Sequence, residues 1–124
     1  MVRVFTAQIG RYHGPDPLDI TIKSAEPEGR AFAPDDWQMV MGVKQGRISP
    51  ETYRAYYTEL MRMSYGTHRA AWDALLAREE VTLLCYCPPA FLACHRLILG
   101  RDILPRLGAT WCGERSIGVV QAQR

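Results

Sequence analysis

Three of the four cysteines, Cys85, Cys87 and Cys94, crowd one short stretch, and His95 and Arg96 follow the last of them directly. Cys85 and Cys87 stand two apart at the end of an apolar run, a spacing that sends both side chains to one face of a strand. Such thiols can be soft metal donors, nucleophiles, or small groups that pack like hydrophobes. A metal centre would use Cys85, Cys87 and Cys94 with His95 or the distant Cys112 as fourth ligand, because zinc takes four such donors in a tetrahedron. Nucleophilic catalysis would use Cys94 or Cys85, with His95 or His13 as base, in the manner of a cysteine-dependent hydrolase or transferase. Anion binding would use Arg96 at a helix start, where unpaired N–H groups and the helix dipole favour negative charge.

The details of spacing weigh on each reading. Cys94 at the beginning of a helix is expected to be stabilised as a thiolate. Cys94 and His95, being neighbours there, are expected to point in different directions, which counts against a shared metal. A phosphatase-type cradle ending on Arg96 would need a cysteine at position 90, which is alanine, and a thioredoxin-type Cys-x-x-Cys is absent. The structural alternative for Arg96 is an ion pair with Asp19 or Asp16 that holds a loop down.

Regular elements must bring these residues together. Val2 to Ile9 is rich in β-branched and aromatic residues and stops at Gly10, as a first strand would. Residues 10–36 show no helical period and carry Gly14-Pro15-Asp16-Pro17, so they read as a long connection that also holds Arg11, His13, Asp19, Thr21 and Lys23. Pro34 to Trp37 can start a short helix through Met41. Ser49-Pro50 predicts a clean helix start, with Tyr53, Tyr56, Tyr57, Leu60 and Met61 on one face and a break or kink at Gly66. Val81 to Tyr86 reads as a buried parallel strand. A helix over 94–104 ends at Pro105 and Gly108, and 109–112 and 117–120 are terminal strand candidates.

Strands alternating with helices predict one small α/β domain over residues 1–124, a three-layer Rossmann-like fold with a mainly parallel sheet. Ligands in such folds sit at the carboxyl ends of the strands. The two loops at that edge would then face each other, with Arg96 holding an anion and Asp19, Thr21, Lys23, Arg11 and His13 orienting it.

At this point the chain resembles the domain-of-unknown-function family number 488. The likeness lies in a first strand running into a glycine turn, Phe5-Thr6-Ala7-Gln8-Ile9-Gly10, and in Leu83-Leu84-Cys85-Tyr86 followed by Cys94-His95-Arg96. The resemblance implies an α/β fold without an assigned reaction, and relatives carried by phages or plasmids. The family pattern often has an acidic residue shortly after the first cysteine; this chain has Cys87-Pro88-Pro89 there, which favours a thiol or metal reading.

Composition bounds the partners. Fifteen basic and thirteen acidic residues leave a net charge of +2, too small for a broad nucleic-acid face. No apolar run approaches a membrane span, and the first residues lack the apolar core of a secretory signal, so the expectation is a cytoplasmic protein. The reading is a protein that binds or acts on a nucleotide or another phosphorylated small molecule. The alternative is a non-enzymatic module binding a nucleotide or nucleic acid. No cofactor is expected unless zinc occupies the cysteines, and the tyrosines at 53, 56 and 57 leave a homodimer open.

Overall fold

The structure is a computed structural model that describes residues 1–115; the strand candidate at 117–120 lies outside them. Its elements run β1 (Arg3–Gln8), β2 (Pro17–Asp19), α1 (Pro27–Arg30), α2 (Trp37–Lys44), α3 (Pro50–Thr67), α4 (Arg69–Leu76), β3 (Glu80–Cys85), a composite helix α5 over 95–107, and β4 (Thr110–Arg115). The α5 segment starts as one α-turn (His95–Leu97), widens to a π-helix (Ile98–Ile103) and tightens to a 3-10 turn (Leu104–Leu107). The strands form one sheet in the order β2-β3-β1-β4, every neighbouring pair parallel. This is the small parallel α/β domain expected from the sequence. No helix among the described residues is long and apolar enough to cross a membrane.

The register places Val4 beside Val81 and Thr6 beside Leu83 in the two central strands. The strand residues of the main core, Val4, Leu18, Val81 and Leu83, all lie on this one face of the sheet, where they meet Leu99 and Leu104 of α5 and Tyr57 and Trp72 of the helices. A buried aromatic of this kind contributes about 1.5–3 kcal/mol by leaving water. Gly100 lets α5 lie close on the strands: a Cβ there would come within 3.1 Å of Trp111 and 3.3 Å of Leu83 and Thr6. On the opposite face, the described residues supply loop and strand-end side chains in place of a helical layer. The Arg115 guanidinium stacks 3.4 Å over the Phe5 ring and donates to Thr82 Oγ1 and Tyr12 Oη.

The 10–36 connection is more ordered than its sequence suggests. β2 begins level with the middle of β3, Pro17 opposite Thr82, so the chain leaving β1 has only part of the sheet height to retrace. The turn before it is fastened by Thr82 N–H donating to the Asp16 carbonyl at 2.9 Å. α1 lies directly on β2, since a Cβ on Gly29 would sit 1.9 Å from the Asp19 carbonyl oxygen. Helix α3 starts at the predicted cap, Ser49 Oγ accepting from Thr52 N–H. It passes through Gly66 without breaking there: that position is exposed, and the glycine penalty of about 1 kcal/mol is outweighed by burial of Tyr57, Met61 and Ser64 on the same helix. The break comes at His68. Helix α2, capped by Asp36, continues past Met41 to Lys44.

Candidate functional site

β3 delivers Cys85 to the carboxyl edge of the sheet, and the following loop returns to the same place at Cys94. Cys85 and Cys87 Sγ are 3.8 Å apart, and all three sulfurs of Cys85, Cys87 and Cys94 lie within 4.8 Å of one another. His95 joins them: its Nδ1 is 4.0 Å from Cys85 Sγ and 3.9 Å from Cys94 Sγ. The expectation that Cys94 and His95 diverge is therefore corrected. Cys94 has an extended backbone (φ −67°, ψ 143°) and His95 is the first helical residue, so the chain bends between them and both side chains reach one point.

The imidazole is oriented from behind. His95 Nε2 lies 2.8 Å from the Ile20 carbonyl oxygen, which can only accept, so Nε2 carries a proton and the ring is held with Nδ1 facing the sulfurs. A cavity of about 20 Å3 is bordered by all four of these side chains, with Val40, Val43, Lys44, Tyr53 and Phe91 around them. That is about the room one atom or water molecule needs. Sulfurs held about 2.3 Å from a central zinc stand about 3.8 Å apart in a tetrahedron, and a sulfur and an imidazole nitrogen about 3.6 Å. The Cys85–Cys87 spacing of 3.8 Å matches the first, and the two sulfur–nitrogen spacings, 4.0 and 3.9 Å, are a few tenths of an ångström longer than the second.

Charge in this corner is distributed unevenly. Hydrogen bonding from the thiols of Cys87 and then Cys94 drives the Cys85 thiol far below its ordinary range. With Cys85 as thiolate, Cys87 is pushed up to about 11. Burial first, and then hydrogen bonding with its two thiol neighbours, holds Cys94 well above the ordinary value. The thiolate expected at Cys94 thus falls on Cys85, because complete burial at Cys94 outweighs what a three-residue α-turn can offer an anion. The corner accepts one negative charge and resists a second and third, which a divalent cation would offset.

Arg96 is placed differently from either expectation. It is 0% exposed, and every nitrogen of its guanidinium is engaged by protein. Nε and Nη2 form a bidentate pair with the Glu114 carboxylate at 3.1 and 2.9 Å, while Nη1 donates to the Cys87 carbonyl at 3.0 Å and Cys94 Sγ at 3.3 Å. Burial disfavours its charge, but the Glu114 pairing more than restores it, and the guanidinium stays firmly protonated. The ion pair foreseen with Asp19 or Asp16 is made with Glu114, and the guanidinium is a brace between β4 and the thiol loop.

The first loop divides. Asp19 Oδ1 accepts from both Thr21 N–H and Thr21 Oγ1, and Ser24 Oγ donates to Asp19 Oδ2, so Asp19 clamps its own loop. Thr21 and Lys23 line a cleft that opens onto Cys85 and His95. Arg11 and His13 are exposed and outside its lining. Cys112 is exposed on β4 with its thiol directed to the Thr110 carbonyl, apart from the other three. Sequence reading missed Glu114, Trp37 and Lys44. The last two had a signal, since Trp37, Val40 and Lys44 repeat at helical spacing along α2 and all face the cleft. Glu114 had none, because its partner is set by strand pairing. No family model, curated protein or solved structure matches the chain.

Proposed function

We propose that Cys85, Cys87, Cys94 and His95 hold a zinc ion that clasps the end of β3 to the start of α5. The observation that carries this reading is three buried sulfurs within 4.8 Å of one another, with His95 Nδ1 at 4.0 and 3.9 Å from two of them, bordering one atom-sized cavity. Four protein donors leave no open position, which makes the centre structural: it contributes folding energy and fixes the loop over 86–94. The Ile20 carbonyl supplies the outer hydrogen bond that ligating histidines use to hold ring orientation. Elemental analysis with native mass spectrometry, on protein purified without added metal, should give one zinc per chain, lost in Cys94→Ser. Metal-free protein with an unchanged melting temperature would overturn the proposal.

A second reading has one observation in its favour. Cys85 and His95 form part of the lining of the cleft, so a Cys85 thiolate paired with His95 could attack a bound substrate as a hydrolase or transferase does. Alkylation separates the two: rapid modification of Cys85 near neutral pH in protein that carries no metal favours the nucleophile, and protection reversed by a chelator favours zinc. The phosphorylated small molecule expected from the sequence enters by the same cleft, with cations other than Arg96.

A further inference from the structure

The cleft beside the thiol corner holds a cavity of about 50 Å3 and opens to solvent. Cys85 and His95 contribute to its lining, Val40 and the Trp37 indole are on the α2 side, and Lys23 and Lys44 border it. These two are the only lysines in the sequence, brought together from separate elements. No carboxylate lines the cleft, and among the described residues neither lysine has a salt-bridge partner. Every arginine-carboxylate pair of the described surface lies elsewhere, so the two ammonium groups of the cleft are set against the single Cys85 thiolate and leave it net positive.

Trp37 adds a flat surface. It is 40% exposed, unusual for so large an apolar side chain, and Lys23 Nζ stands 4.3 Å from its ring centroid. The cation–π contact holds that ammonium against the indole and narrows its range of positions. A ring stacked on the indole would carry its substituent toward both ammonium groups.

We propose that this cleft binds a small aromatic phosphate of the nucleoside monophosphate class, the ring against Trp37 and the phosphate between Lys23 and Lys44. The proposal gives the phosphorylated-ligand reading its cationic residues in place of Arg96, and it does not rest on the zinc centre. Both lysines and the indole belong to α2 and the loop over 20–24; Lys44 borders the thiol cavity as well, and Lys23 and Trp37 line the cleft alone.

The test is a titration of the full chain as purified with adenosine 5′-monophosphate, followed by indole fluorescence and by calorimetry. Trp72 is buried and the half-buried Trp111 of β4 lies outside the cleft's lining, so Trp37 is positioned to report, and Trp37→Phe should remove most of the fluorescence change. Saturable binding is expected, weakened at least ~10-fold in the Lys23→Ala/Lys44→Ala double variant and weakened again by added salt. Adenosine and inorganic phosphate should each bind at least ~10-fold more weakly than the monophosphate. No saturable binding up to roughly 10 mM, or equal affinity in the double variant, overturns the proposal. Adenosine binding as tightly as the monophosphate overturns the anion's part, and inorganic phosphate doing so overturns the ring's. Zinc content measured on the same samples keeps the outcome separate from that of the metal centre.

Discussion

Two buried polar assemblies hold this fold, one behind α3 and one at the end of β3. In the first, Tyr57 Oη donates to the Phe32 carbonyl at 2.7 Å, Ser64 Oγ to the Ala31 carbonyl at 2.6 Å, and Trp72 Nε1–H to Ser64 Oγ at 3.0 Å. In the second, three thiols and an imidazole are about as deeply buried, yet the sulfurs meet only within 4.8 Å and the imidazole stands 3.9 to 4.0 Å from two of them, with a cavity among them. Burial is the same in both; completion is not. The first closes its donors on protein oxygens and needs nothing more. The second gathers three sulfurs and an imidazole nitrogen at spacings longer than hydrogen bonds between nitrogen and oxygen, which is the arrangement the zinc proposal would complete.

Metal removal probes the contrast hardest. Chelation, or Cys94→Ser, should destabilise the protein by about 4 kcal/mol or more, read as a drop in melting temperature. Tyr57→Phe should keep its zinc and respond to the chelator as the parent does. If chelation leaves the parent unmoved, the two assemblies are of one kind and the contrast fails.

Glu114→Gln tests the brace next to the thiols. It leaves the Arg96 charge buried without its counter-ion, at a cost of about 3 kcal/mol in urea denaturation, with one zinc still bound. Loss of zinc would place the brace inside the centre. Ser64→Ala removes the acceptor for Trp72 and the donor to Ala31, costing about 1–3 kcal/mol and leaving zinc content unchanged.

The smallest effect belongs to an exposed assembly that serves as control. Hydrogen bonding to Arg101, with Arg54 assisting, lowers the Asp102 carboxyl below its ordinary range. A depressed folded value means that the unfolded chain takes up the proton first. The contribution is therefore present above the ordinary aspartate value near about 4, and is lost as pH falls through the folded one. Asp102→Asn should lower the melting temperature slightly at neutral pH and not in strong acid. A difference that persists in acid would show that packing, not charge, is lost.

Much of the architecture was legible because its signals are local. The Ser49-Pro50 cap, the tyrosine face of α3 and the apolar run of β3 each announce their element within a few residues. β2 was not legible: three residues after a proline-rich turn carry no period, and they become a strand only because β3 offers its edge. At the site, the three cysteines and His95 could be named from spacing, and the same-face placement of Cys85 and Cys87 follows from strand geometry. What spacing could not reveal is direction. The convergence of Cys94 with His95 depends on a backbone change between them, and Arg96 found Glu114 through a β1–β4 pairing that contains a register shift at Val4/Phe5. The helix start suggested an anion site there, but tertiary pairing consumed the guanidinium first.

The π-helical stretch Ile98–Ile103 bears on how such a corner can be lost or gained. A π-turn holds one residue more than the α-turn it replaces, and each α-helical residue rotates the chain by about 100°. His95 sits before that surplus residue; Leu104, locked in the core, and Gly108, whose φ of 102° ends the helix, sit after it. The angular setting of the imidazole relative to the core is thus a matter of residue count between two anchors, and an insertion or deletion of one codon would turn it as surely as a substitution would remove it.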